Sequence, residues 1–185
     1  MERPKGRLWA QGVTQGAPLQ PPRLLTEDHD ASAFESGEPV LDEWLRNRAW
    51  RNLQAAASRT YVVCPEGSNR VVGYFALSMG QILAQEATGA MRRNMPRQIP
   101  VVMLGRLAID KARQGRGLGR ALLADVARRA IRAGAEVSAR LIVVHAISPA
   151  AEDFYRRNGF VRLPVEAPTF ALDLLKLKEL AKQVG

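Results

Sequence analysis

A short glycine-rich turn holds the residues of this chain that are best suited to bind an anion. Glycines 115, 117 and 119 fall between a predicted strand and a predicted helix. The first backbone N–H groups of a helix have no intrahelical partner, and the helix dipole favours negative charge beside them. Glycines let a diphosphate approach these groups closely, and arginines can add charge-assisted hydrogen bonds. The residues we assign to this diphosphate site are Gln114, Gly115, Arg116, Gly117, Leu118, Gly119 and Arg120.

The spacing of the glycines limits which diphosphate the turn can hold. The dinucleotide fingerprint G-x-G-x-x-G would need glycine at 120, where this chain has Arg120. A phosphate-binding loop of the G-K-[ST] type is absent from the sequence. Both of these alternatives are therefore weakened, whereas a glycine-rich connection without any ligand stays open at this point.

Two motifs of this chain resemble those of the GNAT acetyltransferases. Gln114-x-x-Gly117-x-Gly119 is similar to their [QR]-x-x-G-x-[GA] signature, whose loop holds the pyrophosphate of coenzyme A. Residues 148–160 resemble their second hallmark, N-x-x-A-x-x-F-Y-x-x-x-G-F, although Ser148 stands where the family usually has asparagine. In that family the tyrosine is the general acid beside the coenzyme sulfur, so the resemblance gives this role to Tyr155. A phenol, whose pKa is about 10, can donate a proton to a departing thiolate.

The same resemblance implies acetyl-CoA as cosubstrate and no metal. Tyr155 would be the catalytic residue, and a core tyrosine without a catalytic role is the alternative. Beyond the turn, the implied coenzyme contacts are Leu107, Ala108, Ile109, Ser148 and Phe154.

Hydrophobic periodicity predicts the elements that position these residues. Apolar residues three and four apart predict a helix over 40–57, and two β-rich runs, 59–64 and 71–78, predict an antiparallel hairpin. The run 101–109 is expected to be a buried strand that leads into the turn.

A helix is predicted to follow the turn and to end near Gly134. A strand over 141–146, a helix over 149–158 and a strand around 170–174 complete the order. This order predicts an α/β (α+β) fold, and the resemblance makes it a single GNAT acyl-CoA N-acyltransferase domain, with a mixed central sheet flanked by helices.

Composition points to one soluble domain. The 185 residues are 46% hydrophobic, enough for one core, and we assign 23–185 to the domain and the proline- and glycine-rich 1–22 to a flexible N-terminal extension. No apolar run has the length of a membrane span and the start lacks a secretory signal, so a cytoplasmic location without membrane contact is expected. The single cysteine, Cys64, ends an apolar run and is predicted to be a core residue.

Positive charge is concentrated near the turn. The chain has 27 lysines and arginines against 18 acids, a formal charge of +9, and Asp110 is the only acid between Thr88 and Arg120. Such a field attracts polyanions, either a nucleotide or a nucleic acid. A basic surface kept only for solubility is the alternative.

A narrower resemblance is carried by segments 34–37, 41–45, 57–63, 73–78, 92–96, 99–110 and 144–146. These segments are similar to those of the TacT-like toxins of type II toxin–antitoxin modules, and the similarity covers roughly residues 23–175. It implies that the substrate is the α-amine of aminoacyl-tRNA, whose acetylation blocks translation. It also implies a homodimer, a ribbon-helix-helix antitoxin and operator DNA bound by the complex. The tRNA contacts we assign are Arg46, Arg92, Arg93 and Lys111.

The motifs contain no evident general base. His29 precedes the first predicted helix. His145, within an apolar strand, is predicted to be either a core residue or a residue that supports the site without contacting the ligands. An amine beside an ester is a weak base, so water can take its proton. Two other functions remain open: a GNAT enzyme acting on a protein N-terminus, a polyamine or another small amine, and a coenzyme- or nucleic-acid-binding module without catalysis.

Overall fold

The computed structural model describes the backbone of residues 18–184 and the side chains of residues 18–179. Most of the extension predicted over 1–22 lies outside the described residues. Its last residues contact the hairpin: the Gln20 N–H donates to the Cys64 carbonyl at 2.9 Å, and the Glu66 N–H donates to the Pro18 carbonyl at 2.8 Å. The boundary at Arg23 stays a prediction, and these contacts favour one nearer to Pro18.

The strands and helices of the described chain that were predicted follow one another in the predicted order. The strands are β1 (Arg23–Leu24), β2 (Arg59–Val63), β3 (Gly73–Leu83), β4 (Gln98–Ile109), β5 (Leu141–His145), β6 (Val161–Arg162) and β7 (Thr169–Asp173). The helices are α1 (Pro39–Asn47), α2 (Ala49–Gln54), α3 (Gly89–Arg92), α4 (Leu118–Glu136), α5 (Pro149–Arg157) and α6 (Leu174–Val184). The short elements β1, β6 and α3 and the C-terminal α6 were not predicted.

The strands form a mixed sheet, as predicted. Their order is β1-β2-β3-β4-β5-β7-β6. β1 and β3 pair with β2 in antiparallel fashion, which confirms the hairpin. β4 and β5 are parallel, whereas β7 is antiparallel to both β5 and β6. The registered β4–β5 pairs end at Met103 and Val143.

By internal contacts the chain divides into two compact units. Within the described residues, the first contains 18–77 and Arg106–Val126, and the second contains Ser78–Gly105 and 127–184. β3, β4 and α4 each begin in one unit and end in the other. Each unit has its own apolar cluster.

The core of the first unit is centred on Tyr74. Its phenolic O–H donates to the Leu41 carbonyl at 2.8 Å, and its ring contacts Phe34 edge-on at 5.6 Å between centroids and stacks on Trp44 at 5.9 Å. Cys64 is buried in the same cluster, which confirms the predicted core position, and burial raises the pKa of its thiol to about 11.

The single helix predicted over 40–57 is two helices, α1 and α2. Arg48 separates them with φ −122° and ψ −33°. The break escapes sequence analysis because Leu41, Leu45 and Ala49 are all buried at spacings of four, as they would be in one helix. In the part of the chain that the structure describes, no helix combines the length and apolar character that a membrane crossing requires.

Candidate active site

The glycine-rich turn joins β4 to α4 in the first unit. Gly115 and Gly117 have φ of +70° and +80°, a backbone region that glycine enters without steric penalty. The Ala121 N–H donates to the Gly117 carbonyl at 3.1 Å, the first hydrogen bond of α4. The N–H groups of residues 118–120 therefore precede the first intrahelical bond and are the donors that the sequence predicts for a diphosphate.

Several predicted coenzyme contacts can reach a ligand only through their main chain. The Leu118 side chain is 1% exposed and packs in the core beside Leu122. Ala108 and Ile109 are also buried, whereas Leu107 is half-buried. The Leu118 side chain thus anchors α4, and its N–H is one of the donors that the sequence predicts for a diphosphate.

Asp110 fixes the approach to the turn and was not predicted as a site residue. Its buried carboxylate accepts hydrogen bonds from the Ala112 N–H at 3.0 Å and from the Glu35 N–H at 3.3 Å. Its own N–H donates to the Val72 carbonyl at 3.0 Å. The signal in the sequence was its isolation as the one acid in a basic segment.

Gln114 holds the turn in place with its side-chain amide. Its Nε2 donates to the Ser36 carbonyl at 2.7 Å and to the Ile109 carbonyl at 2.9 Å. Ser36 is in turn fixed by Asp42, whose buried carboxylate accepts the Ser36 hydroxyl at 2.6 Å. Gln114, predicted to contact the coenzyme, therefore has an evident positioning role through its amide group.

Replacing Gln114 with glutamate should destabilise the first unit. The substitution removes both amide donors and places a carboxylate against two carbonyl oxygens, so we expect a loss of about 1–3 kcal/mol in the free energy of unfolding. Urea denaturation measures the loss. Gln85→Glu, the same change at an exposed residue, is the control, and equal stability of the two variants would contradict the positioning role.

The cationic side chains around the turn differ in exposure and in partners. Arg113 and Arg116 are half-buried, whereas Arg120 is exposed. Lys111 donates from Nζ to Glu35 Oε1 at 2.6 Å, and the hydrogen bond to this carboxylate raises the pKa of the ammonium group. Lys111, a predicted tRNA contact, is thus already paired with an exposed acid.

The helix that carries Tyr155 has clear signals at both ends. At the start of α5, Ser148 is the N-cap, and its hydroxyl oxygen accepts from the Ala151 N–H at 3.2 Å. At its end, Gly159 has φ of +86° and the Phe160 N–H donates to the Tyr155 carbonyl at 3.1 Å. Ser148, predicted as a coenzyme contact, is thus engaged in helix capping.

Tyr155 is held by aromatic neighbours in the second unit. Its side chain is 6% exposed, and its ring lies 5.4 Å from that of Phe160 and 6.5 Å from that of Phe170, between centroids. The half-buried Phe154 contacts it edge-on at 5.3 Å. Burial raises the pKa of the phenol above its ordinary value, so the group keeps its proton at neutral pH. Tyr155 can therefore act as a proton donor.

Of the two positions predicted for His145, the core position is wrong, and a supporting position behind the residues that contact the ligands stays a prediction. The side chain is exposed at the end of β5, and its Nδ1 lies 2.9 Å from the Thr169 hydroxyl oxygen. The four preceding residues of β5 are apolar and buried. His145 is the last residue of the strand, one position beyond the buried part.

The predicted tRNA contacts lie on anchored segments. Arg46 donates from Nη1 to the Phe34 carbonyl at 2.8 Å. Arg92 is the last residue of α3 and Arg93 follows it, and both are exposed. Met91 is buried beside them, and Met95 packs on the same apolar cluster. The double arginine is thus presented by a segment that is tied to the core of the second unit.

Comparison with known proteins gives matches over most of the chain. The sequence pattern of the acetyltransferase (GNAT) family matches residues 24–160. A protein of Mycobacterium tuberculosis (strain ATCC 25618 / H37Rv) named tRNA-acetylating toxin is 42% identical over 155 residues, which cover 84% of this chain and 92% of the relative.

Solved structures of toxins also match. AtaT complexed with acetyl-methionyl-tRNAfMet superposes with a TM-score of 0.82 and 27% identity, covering 88% of this chain and 98% of that one. A mutant of AtaT bound to the C-terminus of the antitoxin AtaR and acetyl-CoA superposes with a TM-score of 0.75 and 28% identity, covering 88% and 97%. These matches confirm the predicted fold.

Proposed function

This chain belongs to the acetyltransferase (GNAT) family, and from that membership we propose that it is the toxin of a type II toxin–antitoxin module. It transfers the acetyl group of acetyl-CoA to the α-amine of aminoacyl-tRNA and so blocks translation. The 42% identity to a tRNA-acetylating toxin, over 92% of that protein's length, is the observation that carries this proposal.

The turn suits the diphosphate of coenzyme A. A Cβ atom built on Gly115 would meet no atom of the described residues within 4 Å, so there is space in front of this part of the main chain. The N–H groups of residues 118–120 and the side chain of Arg120 would hold the phosphates. When bound, acetyl-CoA supplies the thioester that carries the acetyl group.

Tyr155 provides the proton that the departing sulfur needs. Its buried phenol is neutral at pH 7 because desolvation disfavours the phenolate. The α-amine of an aminoacyl ester is less basic than a lysine side chain, and its proton passes to water. The amine nitrogen would form the new C–N bond to the acetyl carbon as the C–S bond breaks. Tyr155 would give its proton to the sulfur and regain one from water, so the proton lost by the amine balances the proton gained by the sulfur.

Exposed arginines would bind the tRNA backbone. Phosphate contacts dominate the affinity of such complexes and depend on salt. Arg92 and Arg93 are exposed at the end of α3, and Arg46 has donors beyond the one bonded to Phe34. We include Lys111 as a weaker contact, because its ammonium group already forms an ion pair with Glu35.

Neutralising the double arginine should impair the use of tRNA far more than the binding of coenzyme. For Arg92→Gln/Arg93→Gln we expect the KM for charged tRNA to rise about tenfold or more, since phosphate contacts are lost. The Kd for acetyl-CoA should stay within about twofold, a difference below 0.5 kcal/mol. Arg132→Gln/Lys176→Gln removes two other exposed charges of the second unit and serves as the control. Equal losses for both substrates would place the arginines at the coenzyme instead.

An acceptor assay tests the proposed substrate. The protein is incubated with labelled acetyl-CoA and with charged tRNA, a polyamine or a peptide with a free N-terminus, each alone. We expect label on charged tRNA only. Label on a polyamine or peptide instead would identify a different GNAT activity, and binding of acetyl-CoA without any labelled acceptor would identify a non-catalytic module.

The proposal includes the partners of a toxin. AtaT binds the C-terminus of its antitoxin AtaR, which supports an antitoxin for this chain as well. We extend this to a ribbon-helix-helix antitoxin, a homodimeric toxin, operator DNA bound by the complex, and a cytoplasmic location. Expression without the antitoxin should arrest growth, and co-expression with the correct antitoxin should restore it.

A further inference from the structure

A basic cavity lies in the first unit where α1 ends and α2 begins. It has a volume of about 610 Å³, and its lining residues are Arg46, Asn47, Arg48, Trp50 and Arg51. Arg48, one of the lining residues, lies at the break where the chain leaves helical geometry before it re-enters it at Ala49. Three of the five lining residues are arginines, and none is acidic.

The arginines of the cavity form no ion pairs with the described residues. In the described part of the chain, none of them pairs with a carboxylate. On α1, the Asp42 carboxylate is buried and bonded to Ser36, and Glu43 is exposed three residues before Arg46. Arg46 is held by its bond to the Phe34 carbonyl, so part of the site is ordered before any ligand arrives. Guanidinium groups around a concave surface are suited to phosphates, which they bind in bidentate fashion.

The aromatic side chain in the lining distinguishes RNA from other polyanions. Trp50 is half-buried, and one part of it packs on the apolar cluster of the first unit. An indole fixed in this way offers a stacking surface to a nucleobase, and the Asn47 amide has both a donor and an acceptor for a base edge. An acidic peptide would also match the positive charge. Among the lining residues, however, only Trp50 could pack against the apolar side chains of such a peptide.

We infer that this cavity is a subsite for the RNA backbone. Arg48 and Arg51 contact phosphates, Trp50 stacks on an unpaired base, and Arg46 orients the strand. The inference rests on the proposed function, because the RNA is the body of the same charged tRNA. It adds a recognition element that acts on the nucleotides rather than on the aminoacyl group.

The test compares RNA binding with recognition of the aminoacyl end. Arg48→Gln/Arg51→Gln is assayed with charged tRNA and with a short aminoacylated fragment of the acceptor end. We expect the KM for charged tRNA to rise about tenfold, with little change for the fragment, since the fragment lacks the nucleotides that the inference assigns to the cavity. Binding of uncharged tRNA should weaken as well, and its salt dependence on a double-logarithmic plot should lose a slope of about 1–2.

Matched variants separate this subsite from general charge and from folding. Arg70→Gln/Arg132→Gln removes two exposed arginines outside the lining and should change the salt slope less. Trp50→Phe should retain tRNA binding, whereas Trp50→Leu should lose about fivefold or more, as expected for a lost stacking contact. Circular dichroism and thermal unfolding show that each variant is folded.

Two results would overturn the inference. One is unchanged binding of uncharged tRNA by Arg48→Gln/Arg51→Gln, or a loss no larger than that of the control pair. The other is loss of antitoxin binding with tRNA binding intact, which would assign the cavity to a protein partner. Uncharged tRNA needs no acetylation to bind, so a wild-type protein that fails to acetylate charged tRNA removes the proposed function without deciding the role of the cavity.

Discussion

Tyr155→Phe is expected to lower kcat for acetyl transfer by about 10²–10⁴-fold, the usual contribution of a general acid. The variant loses only the hydroxyl group, while its ring can keep the contacts with Phe160 and Phe170. The melting temperature and the Kd for acetyl-CoA should therefore stay close to those of the wild type. The measurement is single-turnover acetylation of charged tRNA at saturating acetyl-CoA.

A second tyrosine provides the control for this experiment. Tyr61, stacked on Phe75 at 5.2 Å between centroids in the first unit, undergoes the same chemical change in Tyr61→Phe. That variant should retain wild-type kcat. Wild-type kcat in Tyr155→Phe would contradict the assignment of the acid.

The pH profile adds an independent criterion for Tyr155. Burial raises the pKa of the phenol, so the protonated, active form is present below the ordinary pKa of about 10 and is lost only above the raised value. No fall in single-turnover rate from this group is expected between about pH 7 and pH 9.

Gly115→Ala is expected to weaken acetyl-CoA binding by about tenfold to a hundredfold, equivalent to about 1–3 kcal/mol, the scale of a charged hydrogen bond. The added Cβ atom would enter the space in front of the turn, where the structure has no atom of the described residues within 4 Å. The reason for the loss is therefore the ligand and not a clash within the protein. Calorimetric titration with acetyl-CoA measures it.

Gly67→Ala is a closely matched control. Gly67 has φ of +74°, close to the +70° of Gly115, and a Cβ atom there also meets nothing within 4 Å. Both variants should lose about 1–2 kcal/mol of stability from the left-handed backbone, whereas only Gly115→Ala should lose coenzyme affinity. Equal affinities in the two variants would mean that the diphosphate lies elsewhere.

Local sequence patterns were sufficient to predict the turn and the tyrosine helix. The turn depends on glycines at positions where the main chain has positive φ or meets a helix start, and both conditions are visible in neighbouring residues. The helix of Tyr155 has its N-cap at Ser148 and its end at Gly159 within the motif itself. The order of apolar runs predicted an α/β (α+β) fold, whereas the mixed sheet was implied by the family resemblance.

The features that escaped the sequence depend on contacts between distant residues. The amide of Gln114 reaches Ser36, and the carboxylate of Asp110 accepts from Glu35, 78 and 75 residues away respectively. Nothing in the segment around the turn indicates these partners. The break at Arg48 was not predictable either, because the apolar spacing continues through it. The basic cavity beside this break was therefore not predicted.

Mass spectrometry of total charged tRNA, after reaction with the protein and acetyl-CoA, tests the central claim most directly. Nuclease digestion releases the terminal aminoacyl-adenosine, which should carry the added mass of one acetyl group on the amino acid. Wild-type protein is expected to give this product and Tyr155→Phe to give little of it. Folded protein that binds acetyl-CoA and leaves every aminoacyl-adenosine unmodified would contradict the account.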